Sequence, residues 1–219
     1  MLAENYGIEG ELQRLPGENL NFKVTTAEGA HFVLKVVDEH MPPAVAEMES
    51  ALLNHLSGTG FPLELPHIIL NKNKKIETRI NLHKNDHLRA RLIEFIDGII
   101  WEDIDDISQE LLSDAGLLLA EFDQTLSGFD HPAAHRDHRW NLANAGQHLD
   151  KAELIEEADD REIVLWAFEL WQQASERLPD LPQQVIHGDA NPENLLVDGE
   201  AITGLVDLGD CLYTARACE

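Results

Sequence analysis

The chain has few basic residues for its length. Lys and Arg number 16 against 41 Asp and Glu in 219 residues, which gives a formal net charge of −25. A charge of this sign repels nucleic acid and anionic membrane surfaces, so we expect neither as a partner. It favours cationic partners, although an acid excess is also a general means of staying soluble.

Cysteines and long apolar runs are also lacking. Cys211 and Cys218 are too few to form a disulfide framework or a Cys-based zinc site. No segment reaches the roughly 18 to 20 consecutive apolar residues of a membrane span. The first residues lack the basic-then-apolar pattern of a signal peptide, so we expect a cytoplasmic protein. An apolar content of 43% is enough for an ordinary globular core.

The first part of the chain is rich in strand signals. Leu20–Val24 and His31–Val37 flank a turn that contains Gly29, a pattern that predicts an antiparallel hairpin. Apolar residues then recur at helical spacing from Val45 to Leu56, which predicts a helix of about 14 residues. Two further strands are expected, at residues 66–70 and 90–96.

After Asp97 the sequence becomes mainly helical. Ser108 is a plausible N-cap for a helix whose apolar stripe runs from Leu111 to Leu126. A second helix is expected from about Lys151 to Leu178, broken near Asp159. Short strands follow, including a hairpin with acidic residues at its ends. We therefore predict two domains, a β-rich one at residues 1–97 and a helical one at 98–219.

The strongest motif is the run from His187-Gly188-Asp189 to Asn194, followed by Asp207. Phosphoryl transfer needs a carboxylate that orients and deprotonates the attacking hydroxyl, and oxygen ligands for Mg²⁺. Asp189 and Asn194 have the spacing of the catalytic base and the metal-binding Asn of a kinase catalytic loop, and Asp207 follows as a second metal-binding carboxylate. Alone, Asp189 is typical of a turn, Asn194 of a loop cap and Asp207 of a strand end, but together they predict a kinase site.

The motifs H-G-D-x-x-x-x-N and D-x-G resemble those of the aminoglycoside phosphotransferase and choline kinase superfamily. The resemblance implies an α+β, protein-kinase-like fold of two lobes, an antiparallel β N-terminal lobe and a mainly helical C-terminal lobe. It implies Mg²⁺ as cofactor and ATP or GTP as phosphate donor. Leu208 replaces the usual Phe, and family members continue past the position of Glu219, so the C-terminal lobe reads as truncated.

The resemblance also assigns nucleotide-binding residues upstream. Lys35 corresponds to the strand lysine that contacts the α and β phosphates, and Glu49 to the helix glutamate that holds it, with Glu47 as the alternative. Gly17 and Asn19 lie in the segment that corresponds to the phosphate-covering loop.

The segment around Glu94 and Ile96 corresponds to the hinge, whose backbone binds the base. Ile93 has the position of the gatekeeper. No Walker A motif occurs, which argues against the P-loop class.

Further matches, at Gly128-Phe129, His138–Asn144 and Arg161, resemble the hydroxylysine kinase branch of the superfamily. That branch implies a small amine-bearing acceptor, such as hydroxylysine or an amino alcohol. It also includes a phosphotransferase domain fused ahead of class III aminotransferases, so fusion or association with an aminotransferase is a further implication. The sequence leaves the oligomeric state open.

Several alternatives remain open. His131, His135 and His138 have a spacing compatible with a metal site or with a loop that lines the substrate pocket. Trp140 is expected either to stack on substrate or to be buried. A truncated, non-catalytic nucleotide-binding or interaction module is the alternative to a kinase. A protein kinase is disfavoured because the H-R-D and A-P-E motifs are absent.

Overall fold

The computed structural model describes residues 1–16, 20–37, 40–80 and 88–219. It forms two compact units, one made of Met1–Ile99 with Leu196–Gly204 and one of Ile100–Leu195 with Leu205–Glu219. Antiparallel sheets and helices are both present, as predicted. The first unit thus includes a hairpin from late in the chain. A domain boundary at residues 97 and 98 stays a prediction.

The first unit is built around an antiparallel sheet with the strand order β1-β2-β3-β6-β4, in which β5 also pairs with β6. The hairpin of β2 and β3 confirms the prediction, with Leu20 opposite Val36. Val24, Leu34 and Leu92 form part of its buried core. The elements are α1 (Leu2–Asn5), β1 (Gly10–Arg14), β2 (Leu20–Thr26), β3 (His31–Val37), α2 (Pro43–Thr59), β4 (Ile68–Ile69), β5 (Glu77–Ile80) and β6 (Leu88–Glu94).

Helix α2 begins at Pro43, whose missing N–H costs nothing in a first turn, and ends before Gly60. Gly60 has a φ of 77°, the left-handed conformation that favours glycine after a helix. The buried side of α2 includes Met48 and Leu52. Glu49 lies on the same buried side, so this helix carries a carboxylate into the interior of the unit.

The strands around the catalytic motif are short. β8 (Gln183–Ile186) pairs antiparallel with β11 (Leu212–Ala215), and this pairing supports the start of the motif at His187. β9 (Leu195–Asp198) and β10 (Ala201–Leu205) form a sheet with β7 (Ile99–Ile100) in the order β10-β9-β7.

Helix α3 (Gln109–Thr125) has the predicted cap. The hydroxyl of Ser108 accepts a hydrogen bond from the N–H of Leu111 at 3.0 Å. Leu118 and Phe122 from the predicted stripe are buried, whereas Leu112, which follows the buried Leu111 and lies about 100° further around the helix, is exposed. The pattern therefore predicted the helix and most of its buried side.

The predicted helix from about Lys151 to Leu178 was misplaced. Residues Leu142–Leu154 form 3-10 turns, and helix α4 runs from Ala158 to Ser175 instead of starting at Lys151. Asp159, taken as a break, lies in the first turn, where a carboxylate is stabilised by the helix dipole. After β11 the last element is a 3-10 turn at Arg216–Cys218. None of the helices in the described ranges is long and apolar enough to cross a membrane.

Candidate active site

His187 supports the catalytic motif from inside the second unit. Its side chain is fully buried, and the Nε2 atom lies 3.0 Å from the carbonyl oxygen of Val206. The N–H of Asp189 donates to Nδ1 of His187 at 3.3 Å. A carbonyl partner requires a proton on Nε2, and an N–H partner requires a free electron pair on Nδ1, so both contacts fit a neutral ring. Burial lowers the pKa of His187, which also favours the neutral form.

Asp189 and Asn194 are in direct contact. Nδ2 of Asn194 donates to the backbone oxygen of Asp189 at 2.8 Å and to its carboxylate Oδ2 at 3.1 Å. Nδ2 of Asn191 donates to the other carboxylate oxygen at 3.0 Å. Burial raises the pKa of Asp189, and the negative charge of Asp210 raises it further, while these hydrogen bonds oppose the shift. The carboxyl group is therefore held in place and is a stronger proton acceptor than a solvated Asp.

The predicted metal ligands are linked through the backbone. The N–H of Val206 donates to the carbonyl oxygen of Asn194 at 3.0 Å, which brings the residue before Asp207 against the catalytic loop. Asp207 has a φ of 62°, an uncommon conformation for a residue with a side chain.

The donor set fits a hard cation. Because Asn194 uses Nδ2 for its bonds to Asp189, Oδ1 is the atom that would bind Mg²⁺, together with the carboxylate of Asp207. Within the described ranges, no group of three or more His, Cys, Asp and Glu side chains is arranged to hold a metal. The predicted oxygen ligands are therefore the amide of Asn194 and the carboxylate of Asp207 alone.

Two basic residues hold the loop that follows Asp207, and sequence reasoning did not assign them this role. The guanidinium of Arg136 donates to the carbonyl oxygens of Gly209 and Cys211, both at 2.8 Å. Nε2 of His138 lies 3.1 Å from Oδ1 of Asp210. The segment around residue 136 therefore fixes the backbone next to the predicted metal ligand.

Gly188 lies between the buried His187 and the predicted base Asp189. Its φ is 73°, and a Cβ at this position would lie 2.3 Å from Cδ2 of Leu212, so a larger residue would meet both strain and a clash. Its N–H donates to the carboxylate of Glu219 at 3.2 Å. Burial raises the pKa of Glu219 to about 7.

The predicted phosphate-binding pair lies in the first unit. Nζ of Lys35 is 3.4 Å from Oε1 of Glu49, and both side chains are buried. The partner of Lys35 is therefore Glu49. The alternative, Glu47, is exposed. A second cation, Arg91, places Nη2 at 2.7 Å from Oε2 of the same glutamate. The sequence did not predict this contact.

The hinge residues lie at the end of β6. The N–H of Glu94 donates to the carbonyl oxygen of His67 at 2.9 Å, so this N–H already has a partner within the chain. Ile93 is buried, and Ile96 is half-buried. Base binding by Glu94 and Ile96 stays a prediction, and Gly17 and Asn19 lie outside the described residues.

The three histidines that the sequence offered as a metal site or a pocket loop have separate partners. His131 accepts from the N–H of Ala133, His135 contacts Asp130 and stacks on Tyr213, and His138 contacts Asp210. They do not form a common metal site. The ring of Trp140 is half exposed beneath the guanidinium of Arg139, so it is not a core residue.

Comparison with known proteins identifies the class. The model of the phosphotransferase enzyme family, APH, matches residues 11–219, and the chain belongs to this family. The family predicted from the sequence is therefore confirmed.

Similar curated proteins include two hydroxylysine kinases. The protein from Danio rerio is 28% identical over 94% of this chain, and the protein from Bos taurus is 24% identical over 95%. The chain spans 62% of the length of each of these relatives.

Similar solved structures include an amicoumacin kinase in complex with AMP-PNP, Ca²⁺ and Ami, with a TM-score of 0.72 and 18% identity. The match covers 98% of this chain and 64% of that protein. A microcompartment-associated aminopropanol kinase has a TM-score of 0.69 and 20% identity, over 97% of this chain and 68% of that protein. These likenesses support the predicted fold.

Proposed function

We propose that the chain is the nucleotide-binding and catalytic part of a small-molecule kinase. It transfers the γ-phosphate of ATP or GTP to the hydroxyl of an amine-bearing acceptor. The observation that carries this proposal is the contact between the Asp189 carboxylate and the Asn194 amide, next to the backbone of Val206 and Asp207. One residue of this arrangement accepts a proton, and two supply oxygen ligands for a cation.

In the proposed reaction, the acceptor hydroxyl oxygen attacks the γ-phosphorus, and the bond from that phosphorus to the β-phosphate oxygen breaks. Asp189 orients the hydroxyl and takes its proton, which its raised pKa favours. Asn194 and Asp207 would hold Mg²⁺, which neutralises charge on the phosphates. Lys35, held by Glu49, would bind the α and β phosphates. ADP or GDP is the second product.

The proposed acceptor is hydroxylysine or a related amino alcohol. Two observations support it: the similarity to hydroxylysine kinases and a net charge of −25, which attracts cationic amines. The nucleotide analogue and the divalent cation in the amicoumacin kinase complex support a nucleotide donor and a metal cofactor. A cytoplasmic location and association with an aminotransferase belong to the same proposal.

The test is a phosphotransfer assay that measures ADP or GDP release with hydroxylysine, amino alcohols and aminoglycosides. We expect Asp189→Asn to reduce turnover by at least about 100-fold, the usual contribution of a general base. Nucleotide binding, followed by thermal shift, should be retained because Asn preserves the size of the side chain. Unchanged turnover in this variant would refute the role of Asp189. Nucleotide binding by the unmodified chain without turnover on any acceptor would favour the non-catalytic module.

A further inference from the structure

Five charged side chains form a buried cluster in the first unit. They are carried by α2, β3, β5 and β6, and each is at most 13% exposed. The cluster contains three cations and two carboxylates, so one positive charge is in excess. We call this group the buried charge cluster; its members are Lys35, Glu49, Glu77, Arg89 and Arg91.

Arg91 lies at the centre of the buried charge cluster. It is opposite Lys35 on one neighbouring strand and opposite Glu77 on the other. Its Nη2 atom is 2.7 Å from Glu49, closer than the 3.4 Å of Lys35, and its Nη1 is 3.9 Å from Glu77. Arg89 already makes the closer contact with Glu77, at 2.8 Å. Glu49 is therefore the main anionic partner of Arg91.

Part of the Arg91 guanidinium is not satisfied by these contacts. The residue is 4% exposed, and its Nε and Nη1 atoms have no hydrogen-bond partner among the residues that the structure describes. Oε2 of Glu49 faces Nη2 of Arg91 as an ion pair but accepts no hydrogen bond from a described residue. A buried charge without sufficient partners is unfavourable, and like charges opposite each other on neighbouring strands are destabilising. Lys35 and Arg91 are such a pair. The arrangement would be stabilised by a further anion near the cluster.

We propose that Arg91 is a positioning residue for the nucleotide phosphates. Its ion pair holds Glu49, and with Lys35 it gives the buried charge cluster the excess positive charge that attracts a di- or triphosphate. This inference rests on the proposed function, since the anion is the phosphate chain of the nucleotide. It explains how a chain with a net charge of −25 attracts a polyphosphate at this position.

The test compares the binding of Mg-ATP, Mg-ADP and adenosine by calorimetry. We expect Arg91→Met to weaken Mg-ATP and Mg-ADP binding by at least about tenfold, since one partner of a buried ion pair is lost. Adenosine binding should not change, because adenosine has no phosphates. Arg91→Lys, which keeps the charge but not the planar fork, should weaken Mg-ATP binding less than Arg91→Met does. Arg79→Met is the matched control, since Arg79 lies on β5 but is exposed.

Three outcomes overturn the proposal. The first is a folded Arg91→Met variant that binds Mg-ATP like the unmodified chain. The second is an equal loss of adenosine and Mg-ATP binding, which would indicate a structural defect. The third is a failure of both Arg91→Met and Arg91→Gln to fold while Arg91→Lys folds, which would make the role of the charge structural.

Inorganic tripolyphosphate distinguishes this inference from the proposed function. If the unmodified chain binds tripolyphosphate in an Arg91-dependent way but binds neither Mg-ATP nor Mg-GTP, the anion site stands and the kinase function fails. If Mg-ATP binds independently of Arg91, the nucleotide function stands and this inference fails. If nothing binds, both fail.

Discussion

Asp189 lies in a loop whose neighbouring charges control how readily it takes a proton. Burial raises the pKa of Asp189 most, the negative charge of Asp210 raises it further, and the hydrogen bonds from Asn191 and Asn194 act in the opposite direction. Asp210 in turn contacts His138. In the proposed reaction Asp189 acts in its ionised form, so these neighbours set the pH at which activity is lost on the acid side.

Asp210→Asn tests this control. Removing a negative charge favours the ionised form of Asp189 and lowers its pKa, so the acid limb of kcat/KM should move to lower pH. The measurement is a pH profile of phosphotransfer for both proteins. Asp180→Asn is the control, because Asp180 is an exposed carboxylate of the same unit. A limb that stays in place or moves to higher pH contradicts the prediction.

Among individual site residues, the sequence predicts those that belong to a local motif. Asp189 and Asn194 are five positions apart in a recognisable pattern. The contacts of Arg136 are with carbonyl groups 73 and 75 positions away, and Arg91 on strand β6 contacts a glutamate of helix α2. Neither contact has a signal in local spacing. Such residues become visible only when the fold brings the segments together.

Helix α3 connects the core of the second unit with the strand that leads to the catalytic motif. Nε2 of Gln184 in β8 donates to the carboxylate of Asp123 in α3 at 3.0 Å. The rings of Phe122 and His187 are 5.9 Å apart. The position of β8, and so of His187, depends on a well-formed α3.

Ser108→Ala tests the contribution of the α3 cap. The N–H of Leu111 loses its acceptor, so we expect the free energy of unfolding to fall by about 1 kcal/mol. Urea unfolding followed by circular dichroism measures the change. Ser113→Ala is the control, since Ser113 is exposed inside the same helix. An equal effect of both substitutions would show that the cap itself contributes nothing.

Elements with strong local signals were predictable, and those defined by pairing were not. α3 has both a cap and an apolar stripe. β5 consists of Glu77–Ile80 and is mostly polar, so it carries no strand pattern; it forms because it pairs with β6 and places Glu77 opposite Arg91. The start of α4 was misplaced because acidic residues are typical both of helix breaks and of first turns.

Negative charge dominates the whole molecule, but it is unevenly distributed. The net charge is −25, whereas the buried charge cluster has one cation in excess. The predicted base and the neighbouring Asp207 and Asp210 lie in an acidic setting in the other unit. A polyphosphate and a cationic acceptor would thus be attracted by different parts of the chain. The excess carboxylates also repel one another when the chain is compact.

This repulsion predicts a salt-dependent stability. Raising KCl from 0.01 to 0.15 M shortens the screening length from about 30 to about 8 Å, so carboxylates at larger separations no longer repel each other. The repulsion is stronger in the compact state than in the expanded one, and we expect the urea midpoint of unfolding to rise with KCl. Because urea is uncharged, only the KCl changes the ionic strength in this series. A sucrose series of matched osmolality controls for general solute effects. A midpoint that falls with KCl, or rises equally with sucrose, would show that self-repulsion does not limit the stability of this chain.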